Sequence, residues 1–116
     1  MADSVLRTKS KEFAKDIVFL CRKLKHNGVE GALINQLLCC GTSVGANVHE
    51  AQYAQGTKDF ISKFEIALKE CNESEYWLEL LFETNSLEEA DFKSFHSKCI
   101  ELRRMLVSTA TTLKSK

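Results

Sequence analysis

Histidine and cysteine are the side chains that most often bind metals or act as nucleophiles, and here their spacing matches no site of either kind. A carboxylate-bridged di-iron bundle needs Glu-x-x-His on two helices, but none of the three histidines follows a glutamate by three residues. His49-Glu50 does not begin a zinc protease motif, because Tyr53 stands where the second histidine is required. Adjacent Cys39 and Cys40 lack the two-residue spacer of redox and zinc motifs. The sequence therefore predicts no metal site, no cofactor and no enzymatic activity.

Charged side chains are the other candidates for function, and their distribution is uneven although the whole chain is neutral. Sixteen basic and sixteen acidic side chains cancel, which argues against a protein that coats nucleic acid over its whole surface. Residues 1–27 nevertheless carry seven basic against three acidic side chains, whereas residues 57–85 carry three against seven. Any nucleic-acid site is therefore expected to be local.

The absence of proline and the spacing of apolar residues predict an all-α fold. Apolar residues recur at alternating steps of three and four in each of four segments, as amphipathic helices require. The predicted helices cover residues 4–26, 30–54, 58–84 and 87–113. The predicted core stripe of the second helix consists of Ile34, Leu37, Gly41, Val44, Val48 and Ala51.

Short breaks rich in glycine, asparagine and serine separate these segments. The breaks are His26-Asn27-Gly28, Gln55-Gly56-Thr57 and Asn85-Ser86. Ser86 and Glu89 have the spacing of a capping box at the start of the fourth helix. Because short connections force consecutive helices to run antiparallel, we expect one domain over residues 1–116, an antiparallel up-down-up-down four-helix bundle.

Cysteine usage and hydropathy predict a cytoplasmic protein that does not engage a membrane. The five cysteines are an odd number, and residues 1–15 lack the apolar segment of a signal peptide. The longest charge-free stretch, residues 31–49, includes three amide and two hydroxyl side chains. These dilute its hydrophobicity too far for a transmembrane helix.

The first helix carries five cations within about 80° of one another on the helical wheel. They are Arg7, Lys11, Lys15, Arg22 and Lys25. Such segregated charge can form a phosphate-contacting stripe, and Arg103 and Arg104 of the fourth helix are candidates to extend it. The alternative is a solvated face that complements the acidic third helix, and no aromatic residue is interleaved in the stripe.

The second and third helices carry more apolar or uncharged surface than a monomeric bundle needs, which predicts self-association. The candidate interface residues are Gln36, Gly41, Ser43, Gly45, Asn47, Ile66, Trp77 and Leu80. Gly41 and Gly45, four residues apart, would let another helix approach closely, and Trp77 would be the aromatic anchor. In the alternative, Trp77 lies against the seam of its own bundle and the second helix is simply polar.

Glu75 lies within the core stripe of the third helix, so we expect it to be buried and paired. The candidate partners are Arg22, Lys25, Arg103, Arg104 or donors on the second helix. A structural ion pair at the edge of the core is the favoured interpretation, and a general base in a cleft is the alternative.

Several blocks of the sequence resemble a bacterial family of small four-helix bundle proteins. These blocks are residues 40–51, Lys58-Asp59-Phe60-Ile61, Ala67-Leu68-Lys69-Glu70 and Glu75-Tyr76-Trp77-Leu78. The family is the 23S rRNA intervening-sequence proteins, and the helix layout extends the likeness over nearly the whole chain. The resemblance implies assembly into a homo-oligomeric ring, commonly a pentamer, and supplies no catalytic residues.

The resemblance also suggests partners. The family is similar to the accessory variability proteins of diversity-generating retroelements, whose basic ring engages a reverse transcriptase and nucleic acid. The leading hypothesis is therefore a non-catalytic oligomeric module with RNA or a nucleic-acid-processing protein as partner. The alternative is a protein-only scaffold without affinity for nucleic acid.

Overall fold

The computed structural model describes residues 2–115, with side chains from residue 5 onward. Within that part the chain forms four helices and no strand, which confirms the all-α prediction. The helices are α1 (Ala2–His26), α2 (Gly31–Ala51), α3 (Thr57–Glu83) and α4 (Glu89–Lys114). Residues 1 and 116 of the predicted domain lie outside the described part.

The first and third helices end in the same left-handed turn. Gly28 has a φ of 79° and Asn85 a φ of 61°. The amide of the residue after each of them donates back over the last turn, from Val29 to the Leu24 carbonyl at 3.1 Å and from Ser86 to the Leu81 carbonyl at 2.8 Å. This pattern satisfies free carbonyls at a helix end and reverses the chain within two or three residues.

Two predicted helix ends differ from the structure. α2 ends at Ala51 rather than at residue 54, because the amides of residues 52–54 each bond to a carbonyl three residues back, which tightens the chain into a turn. The prediction of a capping box at the start of α4 is also wrong. Glu88 occupies the capping position without a side-chain cap bond, and the Ser86 hydroxyl lies 3.1 Å from the Thr84 hydroxyl.

Contacts along three seams show the direction of each helix. As residue numbers rise along one helix, the numbers of the residues that it contacts on its neighbour fall, so the two helices are antiparallel. α1 meets α4 through Lys9–Glu101, Asp16–Lys98 and Lys23–Asp91. α3 meets α4 through Glu65–Lys114 and Phe82–Phe92, and α1 meets α2 through Ser10–Gly45 and Cys21–Ile34. α1 is thus antiparallel to α2 and α4, and α3 to α4, which makes α2 and α3 antiparallel as well. The bundle is up-down-up-down.

A single apolar core runs the length of the bundle, which measures 47 × 21 × 19 Å. Phe13, Ile17, Phe64 and Leu78 are buried within it, and all six residues of the predicted α2 stripe are buried. α2 and α3 form the most extensive seam, and α1 and α4 the sparsest. None of the described helices combines the length and hydropathy needed to cross a bilayer.

Candidate nucleic-acid interface

The cations of α1 divide between two sides of the helix. Lys9 and Lys23 face α4, and we call this side the α4 flank. The other five lie within about 80° of one another on the helical wheel, and we call them the outer basic face, which consists of Arg7, Lys11, Lys15, Arg22 and Lys25. Arg7 and Lys11 line a groove shared with α2. The two groups have different electrostatic surroundings.

Ion pairs neutralise the α4 flank. Lys9 lies 3.2 Å from Glu101, and Lys23 lies 2.8 Å from Asp91 and 3.5 Å from Glu88. The hydrogen bond to Asp91 raises the pKa of Lys23 above its ordinary value. Between these two cations on α1, the carboxylate of Asp16 accepts from Lys98 of α4 at 3.0 Å.

The outer basic face has no such partners. All five of its residues are exposed, and none forms an ion pair with a carboxylate among residues 5–115. From Arg7 to Lys25 the face runs for about 27 Å along the helix, at about 1.5 Å per residue. The face is therefore a row of five cations without a carboxylate partner among the described side chains.

The sequence of α2 explains why these cations stay unpaired. No Asp, Glu, Lys or Arg occurs between Glu30 and Glu50, so α2 has no carboxylate to offer along most of the α1–α2 seam. A groove lies along the end of that seam, with a cavity volume of about 750 Å³. It is lined by Arg7, Thr8, Lys11 and Ala14 of α1 and by Gly45, Ala46, His49 and Glu50 of α2.

Aromatic rings flank the outer basic face at two points, and neither was predicted from the sequence. Phe19 is 60% exposed, and the guanidinium carbon of Arg22 lies 5.8 Å from its ring centroid. Beside the groove, Tyr53 is 72% exposed and its ring centroid lies 5.6 Å from that of His49. The spacing of Phe19 and Arg22, three apart on one helix, was the available signal. Exposed rings beside cations are suited to stacking with unpaired bases.

The two arginines predicted to extend the basic face differ in their surroundings. Arg104 is exposed. Arg103 instead donates to Glu75 at 2.6 Å and to the side-chain carbonyl of Asn72 at 3.4 Å. The hydrogen bond that Arg103 donates to the Glu75 carboxylate raises the pKa of Arg103 above its ordinary value. Its charge is already neutralised, so its assignment to the nucleic-acid surface is not supported.

Glu75 lies at the edge of the core rather than within it. Its side chain is 19% exposed, and its two oxygens have different partners on α4. Oε1 accepts from Arg103, and Oε2 lies 2.9 Å from Nε2 of His96. Arg103 was among the partners expected from the sequence, whereas His96 was not.

The glycines assigned to an intermolecular interface face the inside of the bundle, and that assignment is wrong. A Cβ added to Gly41 would lie 2.8 Å from Cγ2 of Ile17, and one added to Gly45 would lie 3.0 Å from the Ser10 carbonyl. Both neighbours belong to α1 of the same chain. The spacing did indicate close helix approach, but it could not say which helix approaches.

Some of the remaining candidate interface residues are exposed, and others are partly buried or hydrogen-bonded within their own chain. Trp77 packs against the core of its own bundle, and Leu80 is half-buried. Ser43 and Asn47 bond to backbone carbonyls of α2 itself, at 2.6 and 2.8 Å. Gln36 and Ile66 are exposed. The structure adds Tyr76 of α3, which is 57% exposed and was not predicted.

The cysteines carry no evident chemistry, although one of them is accessible. Burial raises the pKa of both Cys21 and Cys40 to about 11, so these thiols stay protonated and fill space at neutral pH. Cys39 is exposed and free although the adjacent Cys40 is buried, because adjacent side chains on a helix point about 100° apart.

Comparison with known proteins places the chain in a family. Residues 2–108 match the family described as 23S rRNA-intervening sequence protein. The chain belongs to this family. No curated protein is a match.

A solved structure supports the same assignment. It comes from Bacteroides thetaiotaomicron and is described as a protein with unknown function from the S23 ribosomal protein family. It is 43% identical to this chain, with a TM-score of 0.93, and the alignment covers 96% of this chain and 99% of that one. Neither description names an enzymatic activity.

Proposed function

We propose that this protein is a non-catalytic RNA-binding module that contacts phosphates through the outer basic face of α1. The supporting observation is the division of the α1 cations. Those facing α4 are neutralised within the chain, whereas the five of the outer basic face have no carboxylate partner among the described side chains. A cation without an internal partner keeps its full attraction for phosphate.

The geometry suits a nucleic-acid backbone. The row of about 27 Å spans about three quarters of a double-helical turn of about 35 Å, or several nucleotides of single strand. Each phosphate that the row neutralises would release counterions, so a neutral protein can still bind through one local face. Phe19 and Tyr53 lie beside the row and would stack with unpaired bases, which favours RNA with loops or bulges.

The family descriptions agree with an RNA partner. One refers to an intervening sequence of 23S rRNA and the other to a ribosomal protein family. These words describe the family and its solved relative, and they support the proposal for this chain without identifying the RNA.

The salt dependence of binding tests the proposal. A labelled stem-loop RNA is titrated with wild-type protein and with a Lys11→Gln, Lys15→Gln, Arg22→Gln triple variant, at about 50 and about 200 mM salt. We expect weak, salt-sensitive wild-type binding. The negative slope of log affinity against log salt should become shallower by about 2 to 3 in the variant, because three phosphate contacts are lost. Wild-type binding that ignores both salt and the three substitutions would place the site elsewhere.

The second candidate function is a self-associating scaffold that binds only protein. It is favoured by the uncharged outer side of α2 and by the exposed Ile66 and Tyr76 of α3. If different neighbours cover the two surfaces, the contact is head-to-tail and must close into a ring to avoid a filament. The family resemblance suggests five subunits.

Sedimentation equilibrium at micromolar concentration tests self-association. The Ile66→Ala, Tyr76→Ala double variant removes exposed apolar surface from α3, and Phe19→Ala removes a comparable exposed ring from α1 as a control. We expect a wild-type oligomer that the α3 variant weakens and the control leaves intact. A wild-type monomer would contradict self-association, and an oligomer insensitive to the α3 changes would exclude this interface.

A further inference from the structure

A cluster of three metal-binding side chains lies at the α3–α4 seam, away from the outer basic face. Glu75 and Glu79 are four residues apart on α3, and His96 comes from α4. Nε2 of His96 is 2.9 Å from Oε2 of Glu75 and 4.0 Å from Oε2 of Glu79. One donor atom from each residue lies within 4.8 Å of the other two.

We propose that Glu75, Glu79 and His96 form a binding site for a divalent transition-metal ion of the zinc class. One imidazole nitrogen and two carboxylate oxygens are the donor set that a borderline metal such as Zn²⁺ accepts. Purely oxygen-binding ions such as Mg²⁺ and Ca²⁺ gain little from the imidazole. The donors converge from two helices, so the site exists only in the folded bundle.

The surroundings orient these donors. Arg103 bonds to Oε1 of Glu75, which leaves Oε2 directed at His96. In metal sites, a hydrogen bond to the carboxylate oxygen that does not bind the metal holds the carboxylate in a fixed orientation. The ring of Phe92 lies 5.2 Å from the imidazole of His96 and is itself stacked on Phe82 at 4.4 Å. The imidazole is thereby held with Nε2 toward the carboxylates.

The cluster is open enough for an ion to enter with bound water. The side chains of His96 and Glu79 are 32% and 47% exposed. Water would complete the coordination, as it does where a protein supplies three ligands. The ion must replace the 2.9 Å contact between His96 and Glu75, and the charge of Arg103 opposes it. We therefore expect weaker binding than at a closed site with four protein ligands.

Bound metal would connect α3 to α4 and stabilise the fold. An ion that binds the folded chain and not the unfolded chain raises the unfolding temperature as its concentration exceeds the dissociation constant. The local sequence could not show this site, because Glu75 and Glu79 are neighbours on one helix whereas His96 reaches them only across the seam.

The test is a Zn²⁺ titration of the full chain by competition with a chromophoric chelator, together with thermal unfolding in the presence and absence of Zn²⁺. We expect one ion per chain and a rise in the unfolding temperature. His96→Gln and Glu79→Gln should each weaken binding by about tenfold or more and reduce the thermal shift. The two ligand variants come from different helices, so the failure of one to fold leaves the other as a test.

Two control variants separate this site from adventitious binding. His26→Gln removes another exposed histidine, and Cys39→Ser removes the exposed thiol. Both should leave the affinity unchanged. The proposal is overturned if the wild type binds no Zn²⁺ at about 100 μM, a concentration typical of weak sites. It is equally overturned if His96→Gln and Glu79→Gln bind as well as wild type, or if Cys39→Ser alone abolishes binding.

Discussion

The two seams of α1 are held together by different forces. Against α2, glycines bring the helices into close contact, with the position of a Gly45 Cβ only 3.0 Å from the Ser10 carbonyl. Against α4, contacts are sparse and are bridged by ion pairs such as Lys9–Glu101 and Lys23–Asp91. α1 is therefore held mainly by packing on one side and partly by charge on the other.

This difference accounts for the distribution of unpaired charge. The packed seam needs small and apolar side chains, and α2 carries no acid before Glu50 near its end. The charged seam uses the cations that face it.

Breaking the packed seam should have the largest effect. Gly41→Leu places a side chain where even a Cβ would lie 2.8 Å from Ile17, and we expect a loss of about 3 kcal/mol in the free energy of unfolding. Urea denaturation measures this loss. Gly31→Leu is the matched control, because nothing lies within 4 Å of its added Cβ, and it should change stability by less than about 0.5 kcal/mol. Equal midpoints for both variants would show that the seam is not tightly packed.

The partly buried charge on the α3–α4 seam should have an intermediate effect. Glu75→Leu leaves Arg103 without its acceptor and His96 without its carboxylate neighbour, at a cost of about 1 to 3 kcal/mol. Glu75→Gln should cost less, because the amide still offers an oxygen to Arg103. Thermal unfolding of the three proteins checks the order, and equal stability of wild type and both variants would mean that the pairing contributes nothing.

The exposed ion pairs of the α1–α4 seam should have the smallest effect on stability. Asp16→Asn removes the pair with Lys98, whose partners are 41% and 42% exposed, and should cost about 0 to 1 kcal/mol. The urea midpoints of wild type and variant should differ at about 0.1 M salt and converge at about 1 M salt, because salt screens the ion pair that only the wild type has. A loss as large as that of Glu75→Leu would mean that the two kinds of ion pair do not differ.

Periodicity was sufficient to predict the helices and the core stripe of α2. The stripe from Ile34 to Ala51 is buried because each residue repeats at the angle that one helix face requires. The turns at Gly28 and Asn85 followed from residues that accept a positive φ. The capping box failed because Ser86 is used by the end of α3, so it cannot also begin α4.

Relations between helices could not be predicted in the same way. A helical wheel gives the direction of Arg103 or Gly41 but not the side chain that meets it across a seam. Arg103 was assigned to a surface because its contact with Glu75 depends on the register of α3 against α4. Phe19 and Tyr53 were not predicted because neither belongs to an apolar stripe of a helix. They are of interest because the fold places them beside cations.

We expect the two groups of cations to differ in their capacity to bind an external anion. The most direct test compares two triple variants with equal net charge for binding to one stem-loop RNA at low salt. Lys11→Gln, Lys15→Gln, Arg22→Gln changes the outer basic face, and Lys9→Gln, Lys23→Gln, Lys98→Gln changes the α1–α4 seam. Circular dichroism first establishes that both remain helical.

We expect the first variant to weaken RNA binding by about tenfold or more and the second to remain within about twofold of wild type, because only the first removes cations without internal partners. Equal losses in the two variants would contradict this account, because they would show that net charge alone, and not the unpaired face of α1, determines binding.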